Sequence, residues 1–184
     1  MSGAAPNPRT IALVGLRCVG KTSVGRVLAE QLGVKFIDLD QVLAEGGAHA
    51  QHGASVGDLL RAVGIDEFRR LESVALRASL AGSGRRVIAT GGGVVERDDN
   101  RELLAARTFC VWLRNEVAVL QRRLAADPAS RPALIEVDPV LELPELARRR
   151  EPLYRAVAAL SIDCGAAVPA EIAARIAAHL PQQP

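Results

Sequence analysis

Ile11-Ala12-Leu13-Val14-Gly15-Leu16-Arg17-Cys18-Val19-Gly20-Lys21-Thr22 is the stretch whose reading decides the fold. Its first four residues are a compact apolar run, the length of a buried strand. From Gly15 the run becomes G-x-x-x-x-G-K-T, and helical spacing takes over across residues 22–32. A glycine-rich turn between strand and helix lets backbone N–H groups close around phosphate oxygens, while the helix N-terminus adds partial positive charge. In that cradle Gly15, Cys18, Val19 and Gly20 supply loop backbone, and Lys21 reaches the outer phosphates. The Thr22 hydroxyl is expected to ligate Mg²⁺, with Ser23 beside it. Binding of a nucleoside triphosphate, ATP or GTP, with its magnesium ion follows. Arg17 adds a charge to the loop whose direction the sequence leaves open.

Working outward, residues 34–37 form a second strand candidate, expected beside the first, that ends in Asp38 and Asp40. Two carboxylates two positions apart share one face of an extended chain. A metal-bound phosphate needs a carboxylate, and a hydroxyl nucleophile needs an orienting acceptor, so Asp38 reads as the metal-side group and Asp40 as the substrate-side one. The alternative is a plain strand end with Asp40 capping the next helix. Residues 65–80 carry Phe68, Leu71, Ala75 and Ala78 at helical intervals, and a strand at 86–89 runs into Gly91, Gly92 and Gly93. A helix at 100–106, a strand at 109–113 and helices at 115–125 and 143–156 follow, then a strand at 160–163 and a helix at 170–180. Strand and helix alternating in this way predict an α/β fold, a parallel sheet sandwiched by helices, with ligands at the carboxyl ends of the strands. Two breaker-rich stretches, 45–57 and 127–140, read as mobile.

The bulk numbers narrow the function. A chain of 184 residues suits one domain, here residues 9–184 behind a proline-bearing, disordered lead of residues 1–8. Basic and acidic residues number 23 and 21, and aromatics are 3%, which argues against a nucleic-acid partner. No apolar run approaches the roughly 18 residues of a membrane span, and no signal-like segment opens the chain, so a cytoplasmic protein is expected. Cys18, Cys110 and Cys164 are odd in number and far apart, which suggests no disulfide framework. His49 and His52, with His179 distant, lack the companions of a zinc site. A monomer is expected.

Three arginines have no obvious acidic partner in the sequence: Arg69 next to core-facing Phe68, Arg131 in the breaker-rich loop, and Arg150 before Glu151-Pro152-Leu153-Tyr154. Guanidinium forks hold carboxylates, and a mobile arginine neutralises charge developing on a transferred phosphoryl group. Taken in order, the phosphate loop, Asp38-Leu39-Asp40, Phe68-Arg69-Arg70-Leu71-Glu72, the triple glycine, Arg131-Pro132 and Arg150 to Tyr154 resemble the shikimate kinase family over residues 9–180. The resemblance implies a P-loop NTPase core of the nucleoside-monophosphate-kinase type, with a substrate-binding part and a lid at 127–140. It implies transfer of the ATP γ-phosphoryl group to the 3-hydroxyl of shikimate. By that likeness Lys21, Asp40 and Arg131 are catalytic, and Thr22 and Asp38 stand on the Mg²⁺ side. Asp40, Arg69, Gly91, Gly92, Gly93 and Arg150 bind shikimate, and Arg131 also closes over ATP.

The chain departs from the family pattern in three places. Cys18 and Val19 stand where the family usually has glycine and a small residue, and a positive φ at Cys18 would cost about 1 kcal/mol. The stretch between Asp40 and Arg69 is longer than expected, and Asp163-Cys164-Gly165 lacks a basic residue near adenine. Since Arg69 and Arg150 suit any carboxylate, a kinase of another hydroxy acid such as gluconate, or a non-catalytic nucleotide sensor, stays open at this point.

Overall fold

The computed structural model describes residues 10–46, 55–126 and 138–181. In chain order its elements are β1 (Thr10–Val14), α1 (Lys21–Leu32), β2 (Lys35–Asp38), α2 (Leu39–Glu45), α3 (Val56–Val63) and α4 (Ile65–Ala81). Then come β3 (Arg86–Ala89), a 3-10 turn (Val94–Glu96), α5 (Asp98–Arg107), β4 (Thr108–Arg114), α6 (Val117–Ala126), α7 (Pro139–Val157), β5 (Leu160–Asp163) and α8 (Pro169–Ala178). The strands form one sheet in the order β2-β3-β1-β4-β5, every pair parallel. The expected α/β sandwich is therefore present.

Alternation along each strand sorts side chains into two cores. Ile11, Leu13, Val87, Val111 and Leu113 face α1 and α8, where Val24, Leu28, Ile172 and Ile176 pack. Ala12, Val14, Ile88, Cys110 and Trp112 face the other way, onto Leu39, Phe68, Leu76, Leu104 and Tyr154. Strands buried on both faces explain their near-continuous apolar runs. Cys110, sealed in the second core, has its thiol pushed up to about 12 by burial. All three cysteines are free.

Several expectations need correction. β2 does not neighbour β1, because β3 pairs with both and lies between them. Strand pairing is non-local, and nothing in the spacing of residues 11–14 and 34–37 encodes it. The stretch after β2 does not stay extended either. Leu39–Glu45 is helical, and within the 45–57 stretch read as mobile Val56 and Gly57 belong to α3, whose N-terminus is held by a reciprocal Ser55–Asp58 capping box. Residues 47–54, with His49 and His52, lie outside the described residues. α7 begins at Pro139, so the last residues of the proposed lid are helical, and it runs through Pro144 and Pro152. Pro144 has no N–H for the Val140 carbonyl, and Gln121 Nε2 donates to that oxygen at 2.8 Å instead. Residues 127–137, including Arg131, lie outside the described residues.

Candidate active site

The phosphate loop joins the end of β1 to the start of α1. Gly15 has φ 142° and Gly20 φ 100°, and a Cβ at Gly15 would overlap the Leu113 carbonyl oxygen. Cys18, at φ 63°, is the one non-glycine residue of positive φ among the described residues, so the strain anticipated from the sequence is present. Val19 turns its side chain into the core, 1% exposed, and leaves its backbone to the loop. No side chain caps α1, so its first N–H groups are left without a side-chain partner at the end where the loop joins it. Lys21 is 5% exposed and donates from Nζ to the carbonyls of Gly15 at 2.8 Å and Leu16 at 2.9 Å, holding the loop closed on itself. Arg123 of α6 donates to the Cys18 carbonyl at 3.2 Å.

Thr22 donates from Oγ1 to Asp38 Oδ2 at 2.8 Å, although sixteen positions separate the two in the chain. Asp38 is the N-cap of α2, its Oδ1 accepting from the Asp40 backbone N–H at 3.0 Å. Asp40 therefore sits in the first turn of a helix. The two carboxylates are brought together by this cap and not by strand alternation, and Asp38, not Asp40, does the capping.

A second recess lies across the sheet ends, between α3, α4, the triple glycine and α7. Asp40, Phe68, Arg69, Gly92 and Arg150 line it, with Val56 and Gly57 of α3 at its mouth. The phosphate-side recess is lined by Cys18, Lys21, Thr22, Asp40, Thr90 and Arg123. Asp40 belongs to both walls. The glycines are dictated by close approach: a Cβ on Gly91 would overlap Glu72 Oε1, and one on Gly93 would overlap the Arg69 guanidinium. Gly92 is open to Arg150, with Nη1 3.5 Å from where its Cβ would stand. The buried hydroxyl of Tyr154 donates to the Gly92 carbonyl, and burial pushes that phenol up.

Two of the arginines that lacked partners in the sequence, Arg69 and Arg150, have them in the structure. Arg69 donates from Nη1 to Glu72 Oε2 and from Nε to Glu96 Oε2, both at 2.9 Å. Arg150 donates from Nε to Glu96 Oε1 at 2.9 Å. The direction of Arg17 is also fixed, since Nη2 reaches Glu142 Oε2 at 3.0 Å in a buried pair. Glu72 is fully buried; burial pushes its carboxyl up against the pull of Arg69, and neighbouring Asp40 adds to the rise. Glu96 moves the other way, because Arg150 and Arg69 together outweigh its partial burial and hold its carboxyl below the usual range. Glu72 had a visible signal, an i,i+3 spacing from Arg69. Glu96 and Glu142 had none, standing 27 and 125 positions from their partners.

A family model described as shikimate kinase matches residues 17–181. The chain belongs to the shikimate kinase family. Among its relatives, a shikimate kinase of Stenotrophomonas maltophilia is 38% identical over 97% of this chain and 94% of its own length. One of Bordetella avium is 42% identical over 88% of this chain and 74% of its own. The solved structure of a shikimate kinase from Acinetobacter baumannii in complex with shikimate superposes with a TM-score of 0.82, at 34% identity, over 94% of this chain and 92% of that one. Membership in the shikimate kinase family makes the chain an ATP-dependent phosphotransferase of the shikimate pathway. Among the described residues no helix is long and apolar enough to cross a membrane.

Proposed function

We propose that this chain transfers the γ-phosphoryl group of ATP to the 3-hydroxyl of shikimate, with ATP in the loop recess and shikimate in the recess behind Asp40. The observation that carries this reading is the double position of Asp40, on the wall of both recesses. Phosphoryl transfer is positioning and electrostatics, and a carboxylate at such a junction orients the attacking hydroxyl toward the phosphate. Lys21 neutralises the outer phosphates, and the backbone from Gly15 to Thr22, with Cys18, Val19 and Gly20, cradles them beside Ser23. Arg69 and Arg150 take the substrate carboxylate, and the peptide edge from Gly91 to Gly93 lies against the ring. Arg131 is the lid arginine over ATP in this reading.

Mg²⁺ fits the oxygens present. The Thr22 hydroxyl and the Asp38 carboxylate are hard donors 2.8 Å apart beside the phosphate cradle, the ligand type this ion takes, directly or through water. Held there by Thr22 and Asp38 with the nucleotide, the ion would supply neutralisation of phosphate charge. The reading also carries a single-domain monomer working in a reducing cytoplasm, consistent with three free cysteines.

Coupled ADP release with Mg-ATP, shikimate present and absent, tests the acceptor. Shikimate-dependent turnover is expected, and turnover with gluconate but none with shikimate would overturn the assignment. Asp40→Ala is expected to lower kcat by about 100-fold or more while ATP binding stays unchanged. Near-normal turnover in that variant would remove Asp40 from its role.

A further inference from the structure

Glu96 stands three positions after the triple glycine, at the end of the 3-10 turn, and the proposed function gives this residue no task. Its carboxylate is shared out. Oε2 accepts from Arg69 Nε at 2.9 Å, and Oε1 accepts from Arg150 Nε at 2.9 Å and from exposed Arg149 Nη2 at 2.7 Å. Arg69 comes from α4 and Arg150 from α7, so one carboxylate ties two separate helices. The mount is rigid. The Glu96 N–H donates to the Gly93 carbonyl at 2.9 Å, and the carbonyls of Val94 and Val95 accept from Asn100 Nδ2 at 3.0 Å and Arg101 Nη1 at 2.7 Å.

Glu96 does not line the recess that its two arginines line. It meets Arg69 at Nε and Arg150 along the edge that carries Nε and Nη2, each at 2.9 Å. Arg150 Nη1 faces Gly92, and Arg69 Nη2 lies against Gly93. Each guanidinium is planar, so fixing the Nε edge fixes where the remaining N–H groups point. Two long side chains from separate helices otherwise lose much rotamer freedom when a ligand arrives, and this contact takes that loss in advance.

We propose that Glu96 is a positioning residue that pre-aligns Arg69 and Arg150 for bidentate capture of the substrate carboxylate. The inference rests on the function proposed above, which puts that carboxylate between the two arginines. It makes Glu96 an aid to binding and not a competitor for the guanidinium groups. Removing the grip leaves the cationic charge in place but lets the two forks swing apart.

Two variants separate geometry from charge. Glu96→Gln keeps the length and removes the charge, whereas Glu96→Asp keeps the charge and withdraws it by one methylene. Both are expected to raise the shikimate KM about tenfold, with the KM for ATP and the Tm little changed and kcat largely retained. Calorimetric titration of shikimate without ATP should show the same loss. An unchanged or lowered shikimate KM in both variants would overturn the inference. So would a rise confined to Gln, which reports charge alone, or a parallel loss of ATP affinity and Tm, which reports a structural role. Wild-type protein that binds no shikimate would remove the functional reading and this inference with it, whereas normal wild-type binding with unaltered variants removes the inference alone.

Discussion

Cys18 shows how a single side chain is carried at a cost. An L-residue with a Cβ held near φ 63° sits in the left-handed region that glycine adopts freely. Glycine there would relieve the steric cost but release more backbone freedom in the unfolded chain, so the two terms partly cancel. Cys18→Gly is expected to raise stability by about 0.5–1 kcal/mol in urea unfolding, and no gain would mean that the cysteine is held by contacts worth as much as its strain. The loop pattern itself, from Gly15 to Thr22, was legible because its spacing is the mechanism. The loop's contact with α6 was not. Arg123 meets the Cys18 carbonyl across 105 positions of chain, and nothing near either residue announces it.

The elements around the substrate recess meet with no room to spare. β3 leads into the triple glycine, and α4 lays Arg69 and Glu72 against it so closely that neither Gly91 nor Gly93 has space for a methyl group. Gly93→Ala is expected to push the Arg69 guanidinium off its seat and raise the shikimate KM by about tenfold, with the KM for ATP unaffected. An unchanged KM would show that Arg69 has somewhere to retreat. Strands and long helices were legible in the sequence because apolar runs and 3.6-residue periods are local signals. α2 and α3 were not, since they are short and flank a sequence stretch rich in glycine and alanine, which carries no helical period. The role of Asp38 as N-cap was hidden for a related reason: Asp-Leu-Asp reads equally well as a strand end. The lone fact that β3 lies between β1 and β2 changes which residues meet, and pairing order has no local signature at all.

Across the whole molecule, arginines and carboxylates pair at one end of the sheet, Arg69 and Arg150 with Glu72 and Glu96 and Arg17 with Glu142, and the protonation of Glu72 links the site to stability. Glu72 is the sensitive member, fully buried with its carboxyl pushed above the ordinary 4.5. Because the folded state holds that proton more tightly than the unfolded state, its contribution is complete below about 4.5 and is lost as pH rises through the raised value. Glu72→Gln should therefore gain on the wild type in urea midpoint as pH climbs from the acid range toward neutrality. Parallel curves for the two proteins would show that burial leaves the affinity of Glu72 for its proton unchanged. At the same sheet end, the chain's single tryptophan, Trp112, stacks on Tyr154 with ring centroids 6.0 Å apart, and the hydroxyl of Tyr154 grips the Gly92 carbonyl. Arg114 covers the indole at 5.7 Å. The protein thus carries one indole, nearly buried and joined through a single phenol to the Gly92 carbonyl in the wall of the proposed acceptor recess, so tryptophan emission is expected to report occupancy of that recess without a label.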